Sequence, residues 1–308
     1  MNSFRQRKLL GFDASYKRME ALIKSQRSPH ALLISGEKGG GKRTFALHFA
    51  MALLCKEGLY PCFSCSSCRK AVSFNHPDII YAEGNEKTGS IGVDEIRRLR
   101  QATSKVPQEG KKKIFIIEDA QNLTPEAQNA FLKILEEPPE DTVFILTCSK
   151  EEALLETVLS RLTRLSLPCI GDDLKMEALR AQKDFSSEDI SLAAGIFSTV
   201  GEALNALPGG NCEKLFKESL KIAEAIEKKD RYAILSSLSS YNQAKERENF
   251  KEIISLTLKV CLYNCKKGSI TPAAMSKINK VLCRALSLLG NNVSPVAVGA
   301  VIAEGICS

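Results

Sequence analysis

The sequence lacks any apolar run that approaches the roughly 20 residues needed to cross a bilayer as a helix. It also lacks an apolar signal core, because no such segment follows the charged residues 1–8. The first absence argues against a membrane protein, and the second argues against a secreted one. We therefore expect a cytoplasmic protein that makes no contact with a membrane.

The composition is that of a folded chain rather than a disordered one. Of the 308 residues, 44% are hydrophobic and 26% are charged, and the length allows two or three domains. The formal net charge of +7 permits contact with nucleic-acid phosphates, but lysines scattered over helix faces give the same sum. Eleven cysteines without a signal peptide indicate thiols or metal ligands rather than disulfides.

A glycine-rich loop lies at residues 36–44, between an apolar segment at 31–34 and a helical pattern that runs to Leu54. A loop of the form Gly-x4-Gly-Lys-Ser/Thr aims backbone amides at a phosphate, while its lysine reaches the outer phosphates and its hydroxyl holds magnesium. Here Arg43 stands at the hydroxyl position. Thr44 follows, but one helical step rotates a side chain by about 100°, so Thr44 does not replace the missing hydroxyl.

The loop is therefore predicted to be a degenerate nucleotide-binding loop. Its residues are Gly36, Gly39, Gly41, Lys42 and Thr44. The intact glycines and lysine favour binding of ATP or ADP, whereas an arginine in the magnesium position disfavours it. Both alternatives stay open at the level of sequence, but hydrolysis is not expected.

Four cysteines fall in one short segment, residues 55–68. They are Cys55, Cys62, Cys65 and Cys68. Spacings of two residues let neighbouring thiolates converge on one ion, and four thiolates complete a closed tetrahedron. The pattern predicts a structural Zn²⁺ site, with an iron–sulfur cluster and redox or inert thiols as the alternatives. The other seven cysteines are isolated and are interpreted as small apolar residues.

A helical pattern that begins at Asp94 turns Ile96, Leu99 and Thr103 inward. Three arginines are left on its other faces: Arg97, Arg98 and Arg100. They could grip nucleic-acid phosphates, or they could form an ordinary solvated face beside residues 111–113, and the sequence favours neither interpretation.

The apolar run at residues 114–117 is typical of a strand that is covered on both faces of a parallel sheet. It ends in Glu118-Asp119. Nucleotide hydrolases of this class have Asp then Glu there, the first for the magnesium shell and the second to orient water. Here the order is reversed, and a displacement near 1 Å can cost on the order of a hundredfold in rate. The reversal thus affects the same step as Arg43.

Strand and helix patterns alternate up to residue 167, which predicts a doubly wound α/β domain with a parallel sheet and the cysteine module inserted at 55–68. Beyond it only helical patterns occur. We expect a small helical bundle at 168–207 and a larger one at 208–308.

Several motifs occur in an order that resembles the bacterial DNA polymerase III clamp-loader family. They are Pro29-His30-Ala31, the loop from Gly36 to Lys42, the four cysteines, His76-Pro77-Asp78, Ile91-Gly92-Val93-Asp94, the block Asn129 to Pro139, and Ser160-Arg161. The resemblance covers the first two thirds of the chain. It implies an AAA+ P-loop domain at 1–167, a helical lid at 168–207 and an all-α collar for oligomerisation at 208–308.

Within that family the chain looks like the non-hydrolysing delta-prime kind rather than the ATP-hydrolysing motor, gamma or tau. The motor's hydroxyl residue is Arg43 here, its Asp-Glu pair is Glu118-Asp119, and its nucleotide-sensing lid arginine falls at Gly201. The resemblance therefore implies no intrinsic ATPase in a component of the DNA polymerase III holoenzyme. A gamma/tau-type motor is the alternative.

The Ser160-Arg161 pair is similar to the family's Ser-Arg-Cys motif, with Leu162 in place of cysteine. The resemblance implies that Arg161 acts as an arginine finger in trans, at the ATP site of a neighbouring motor subunit. An ordinary surface arginine is the alternative. The implied partners are the motor and delta subunits, the sliding clamp and primed DNA within the assembly.

Overall fold

The computed structural model describes residues 7–25, 29–58, 60–85, 88–182, 185–239, 241, 246–291 and 293–307. The chain divides into two compact units, residues 1–174 and 175–308. Each unit is described by itself below.

The first unit is built on a five-stranded parallel sheet. Its strands are β1 (Ala31–Ser35), β2 (Ile79–Tyr81), β3 (Lys113–Ile117), β4 (Thr142–Cys148) and β5 (Thr163–Ser166). Their order across the sheet is β2-β3-β4-β1-β5, and every neighbouring pair is parallel. The carboxyl ends of all five strands therefore lie at one edge, where the loops that carry polar residues collect.

Helices cover both faces of this sheet. They are α1 (Asp13–Lys24), α2 (Lys42–Leu54), α3 (Ser66–Val72), α4 (Val93–Thr103), α5 (Pro125–Glu136) and α6 (Glu156–Leu159), and α7 (Asp172–Arg180) crosses the boundary of the unit. Successive residues of a strand point to opposite faces, so Leu32 and Ile34 pack in the core beside α2 while Leu33 packs in the core beside α5. The predicted doubly wound α/β architecture is confirmed.

Two features of the sheet are not evident in the sequence, the strand β5 and the first residue of β3. The β5 segment reads Thr-Arg-Leu-Ser, and only Leu165 in it is buried, because β5 is an edge strand with one neighbour. The β3 strand begins at Lys113, one residue before the apolar run. The Lys113 side chain is buried, and its ammonium donates hydrogen bonds to the carbonyl oxygens of Ala102 and Lys105 at 3.2 and 2.9 Å, which caps the end of α4.

The His76-Pro77-Asp78 motif has a structural role. The buried Asp78 carboxylate accepts hydrogen bonds from three consecutive amides, those of residues 108–110, at 2.6 to 2.9 Å. Burial raises the pKa of Asp78, but the three amides outweigh it and hold that pKa below its ordinary value. The imidazole of His76 bonds to the Ser67 hydroxyl at 2.9 Å, so the motif joins α3 and the loop before β3 to the sheet.

The described residues of the second unit form helices joined by turns and loops, and none of them lies in a strand. Its helices after α7 are α8 (Ser187–Ile196), α9 (Val200–Ala206), α10 (Glu213–Glu227), α11 (Arg231–Ser239), α12 (Arg247–Lys267), α13 (Pro272–Gly290) and α14 (Pro295–Cys307). One hydrophobic core runs from Leu179 to Ile306 and includes α8 and α9. The division of this part into a lid at 168–207 and a collar at 208–308 stays a prediction.

None of the helices described is both long enough and apolar enough to cross a membrane.

Candidate functional site

The glycine-rich loop joins the carboxyl end of β1 to the first residue of α2, as the sequence predicts. Gly39 has φ +75° and Gly41 has φ +86°, in the left-handed region that glycine enters without steric cost. A Cβ atom at Gly41 would also lie 3.1 Å from Leu9 Cδ1. The loop thus has a backbone that depends on glycine at two positions, at the carboxyl edge of the sheet where the sequence predicts it.

Lys42 is directed into its own loop. Its ammonium donates hydrogen bonds to the carbonyl oxygens of Gly36 and Glu37 at 2.9 and 2.8 Å, and to Ser149 Oγ at 2.8 Å. The side chain is only 7% exposed, and burial lowers its pKa although the charge of Asp119 acts in the opposite direction. An ammonium has three N–H groups, so these protein acceptors use its full donor capacity.

Arg43 forms an ion pair with Glu118, and its Nε atom lies 2.6 Å from Glu118 Oε1. Arg43 is the second residue of α2, and Glu118 directly follows β3. The residue that replaces the loop hydroxyl therefore contacts the first acid of the reversed pair. The two departures from a hydrolase pattern are therefore one physical feature, in which a guanidinium that is 63% exposed lies against the carboxylate and offsets its charge.

Asp119 is held by its surroundings as well. Its backbone is left-handed, with φ 50° and ψ 54°, its N–H donates to Thr147 Oγ1 at 3.0 Å, and its carboxylate accepts from Gln121 Nε2 at 3.0 Å. Gln121 Oε1 in turn accepts from the N–H of Ser149 at 3.1 Å. Asp119 is thus part of the hydrogen-bonded edge of the sheet.

Sequence reasoning missed Ser149, which links this edge to the lysine of the loop. It follows β4 directly, and its hydroxyl and its N–H contact Lys42 and Gln121. A polar residue at the carboxyl end of a buried parallel strand is the signal that could have found it. Thr44, by contrast, is half-buried in the first turn of α2. Its place in a nucleotide site stays a prediction.

The end of α3 reaches Arg43. Phe74 has φ 59° and closes α3 in a Schellman arrangement, with its N–H donating to Ala71 O at 3.0 Å and the N–H of Asn75 donating to Lys70 O at 2.9 Å. Glycine is the usual residue at this left-handed position. The Phe74 ring packs edge-to-face on Tyr81 at 5.3 Å and lies 5.7 Å from the Arg43 guanidinium carbon.

The four predicted metal ligands come together. The Sγ atoms of Cys55, Cys62, Cys65 and Cys68 all lie within 4.8 Å of one another. The Sγ atoms of Cys62 and Cys68 are 3.9 Å apart. A tetrahedron with metal–sulfur bonds of about 2.3 Å has an S–S edge of about 3.8 Å, so this separation suits one central ion such as zinc.

The surroundings of the cluster act differently on its cysteines, since hydrogen bonds favour the thiolate form of Cys62 and burial disfavours that of Cys68. Backbone N–H groups of Cys65 and Cys68 donate to the sulfurs of Cys62 and Cys65, at 3.2 and 3.4 Å. Hydrogen bonds from the Ser64 hydroxyl and from backbone amides lower the pKa of Cys62 to about 6. Burial raises the pKa of Cys68, and a cation among the four sulfurs would favour its thiolate form. The donor set fits a metal ion, and no open position is left for catalysis.

Arg161 lies on the surface between α6 and β5. Its Nη1 atom donates to the carbonyl oxygen of Thr157, and its Nη2 atom donates to Glu136 Oε1, both at 2.8 Å. The side chain is 37% exposed. The guanidinium is therefore both oriented by its own chain and accessible from outside it.

The three arginines of α4 differ in their contacts, although all are exposed. Arg98 forms hydrogen bonds to the Glu95 carboxylate at 2.7 and 2.8 Å and to Tyr81 O at 2.9 Å, so it ties α4 to β2. Those bonds to Glu95 raise the pKa of Arg98. Arg97 pairs with Asp94 at 3.1 Å in a surface contact. The arginines do not form one uniform surface.

Comparison with known proteins agrees with this geometry. A protein-family model described as "DNA polymerase III, delta subunit" matches residues 12–170. The chain is similar to DNA polymerase III subunit delta' of Yersinia pestis, with 30% identity over 251 residues, 80% of this chain and 74% of the relative. The chain belongs to the delta-prime family of DNA polymerase III subunits.

A second delta-prime relative is matched over less of its own length than the Yersinia pestis protein. DNA polymerase III subunit delta' of Bacillus subtilis is 32% identical over 212 residues, which are 68% of this chain and 64% of the relative. The tau subunit of the same organism is 29% identical over 197 residues, which are 63% of this chain and 34% of the relative. The delta-prime relatives thus match more strongly than the tau relative.

A solved structure supports the AAA+ fold. A DNA polymerase III gamma subunit-related protein of Thermotoga maritima aligns with a TM-score of 0.55 at 20% identity, over 94% of this chain and 98% of that one. The similarity extends beyond the sheet into the helical part of the chain.

Proposed function

We propose that this chain is the non-hydrolysing delta-prime subunit of a replicative clamp loader, a component of the DNA polymerase III holoenzyme in the cytoplasm. The observation that carries the proposal is the Arg43–Glu118 ion pair, which puts a cation against the acid at the position where a hydrolase needs one for magnesium. The delta-prime relatives support the same assignment. In this proposal the chain acts in a hetero-oligomer, together with motor (gamma or tau) and delta subunits.

In a heterologous ring, each subunit presents one surface to one neighbour and a different surface to the other. A subunit that does not hydrolyse ATP can therefore complete the ATP site of the next subunit. Arg161 is the residue we assign to that role, because its guanidinium is exposed and already oriented. Placed beside a neighbour's phosphates, it stabilises the negative charge that develops during phosphoryl transfer. The assembly loads the sliding clamp onto primed DNA.

Loss of Arg161 should slow the assembly without affecting its formation. With the motor and delta subunits, clamp and primed DNA present, Arg161→Ala should lower steady-state ATP turnover by about tenfold or more, since arginine fingers contribute strongly to phosphoryl transfer. Phosphate release measured on the assembled complex tests this prediction. Arg164→Ala is the matched control, because Arg164 is also an exposed arginine and pairs with Glu151 at 3.6 Å.

Full turnover by the Arg161→Ala assembly would contradict the assignment.

The same assay distinguishes the proposed delta-prime subunit from a gamma/tau-type motor, the alternative that the glycine backbone of the loop favours. If this chain were a motor, Lys42→Ala would also slow the assembly. We expect Lys42→Ala to leave turnover near the wild-type value once the variant has assembled. ATP or ADP lodged at Gly36, Gly39, Gly41, Lys42 and Thr44 would then have no catalytic role.

The four-cysteine cluster is proposed to hold one structural Zn²⁺ ion. Purified protein should contain one zinc per chain by elemental analysis, and Cys65→Ser should lose the metal and unfold at a lower temperature, because a structural zinc contributes directly to folding. Cys283→Ser is the control, since Cys283 is an exposed cysteine outside the cluster. Iron with visible absorbance, or a cluster without metal, would contradict the zinc assignment.

Arg97, Arg98 and Arg100 are proposed to face DNA in the assembly, with Arg97 and Arg100 making the phosphate contacts. Changing these two arginines to Ala should reduce the dependence of log affinity on log salt concentration by about one for each lost contact. DNA binding by the assembled loader at several salt concentrations measures that slope. The control replaces two exposed basic residues elsewhere, Lys17 and Arg69, with Ala. An unchanged slope in the arginine variant rejects the DNA role.

A further inference from the structure

The guanidinium of Arg161 is fixed by two acceptors that come from different elements. Thr157 belongs to α6, one turn before Arg161, and contributes its backbone carbonyl. Glu136 is the last residue of α5, and its carboxylate binds the other terminal nitrogen of the guanidinium. Two charge-assisted contacts on separate nitrogens restrict rotation of the long side chain and orient the plane of the guanidinium.

The position of Glu136 is unfavourable within its own helix. The carboxyl end of an α-helix carries partial negative charge, so an acidic side chain is repelled there and a basic one is attracted. A carboxylate in the last turn of α5 is therefore accounted for by a partner outside the helix. The partner that the structure provides is Arg161, whose nitrogen lies 2.8 Å from the carboxylate oxygen.

The helix that carries Glu136 is itself firmly placed. Thr124 caps its start by accepting a hydrogen bond from the N–H of Ala127 at 3.2 Å, and Pro125 occupies its first position. Near its end, Ile134 and Leu135 are buried in the core beside the sheet. The carboxylate is thus presented from a fixed point.

We propose that Glu136 is a positioning residue for Arg161, which holds the guanidinium in the orientation that it needs at the ATP site of a neighbouring subunit. The inference rests on the proposed function of Arg161 in trans. A long side chain that is ordered before docking loses less conformational freedom when it enters the site, and it presents its donors in a fixed plane. Glu136 itself touches neither nucleotide nor neighbour in this account.

The test uses the full assembly, with motor and delta subunits, clamp and primed DNA, and measures kcat and KM for ATP. Glu136→Ala should lower kcat by about tenfold, while KM stays within about twofold, since a misplaced group loses rate rather than substrate binding. Glu136→Gln keeps an oxygen acceptor and should recover most of the rate. Glu137→Ala removes the same charge at the next position, which is also exposed, and should match the wild type.

Each outcome bears on the inference separately from the proposed function. If Arg161→Ala slows the assembly and Glu136→Ala does not, the inference fails while the trans role of Arg161 stands. If Arg161→Ala has no effect, both fail. Faster turnover by Glu136→Ala would show that Glu136 restrains Arg161, and a raised KM at constant kcat would assign it to substrate binding, so either result overturns the positioning role. An unfolding temperature equal to that of the wild type confirms that the variant is folded.

Discussion

The ion pair between Arg43 and Glu118 is the constraint on which the rest of the site depends. It joins the first turn of α2 to the end of β3, and it neutralises a carboxylate at the edge of the sheet where phosphate chemistry is carried out in hydrolases of this fold. Lys42 also has its partners within the chain, because its ammonium donates hydrogen bonds to carbonyl oxygens of its own loop. The two cations that would meet a nucleotide, Lys42 and Arg43, thus both have partners within the chain.

The α/β architecture is intact around this ion pair. The strand order β2-β3-β4-β1-β5 brings the glycine loop, Glu118-Asp119 and Ser149 to one edge of the sheet. The segment between α6 and β5 carries Arg161 to the surface. The helix α3, which follows the cysteine module, is closed by Phe74 beside Arg43. In the proposed role, this chain completes the ATP site of a neighbour through Arg161 and hydrolyses no ATP in its own pocket.

Much of this arrangement follows from local patterns in the sequence. The apolar runs of β1, β3 and β4 predict a buried parallel sheet, and the spacing of the cysteines predicts their convergence, because both properties depend on near neighbours in the chain. The β5 strand is not evident in the sequence, because this edge strand buries only one side chain, that of Leu165, and so shows no apolar run. In the sequence, Arg43 and Glu118 are separate departures from the hydrolase pattern, and their pairing depends on the sheet, which brings distant segments together. The Glu136–Arg161 contact was hidden for the same reason.

The central claim is that this subunit kept the fold of an ATP-hydrolysing protein and lost its chemistry. It is tested most directly by phosphate release from the purified chain alone, in the presence of ATP and magnesium. The account predicts release no faster than in a protein-free control, since Arg43 replaces the hydroxyl ligand and pairs with Glu118. Sustained phosphate release that disappears in the Lys42→Ala variant would contradict it.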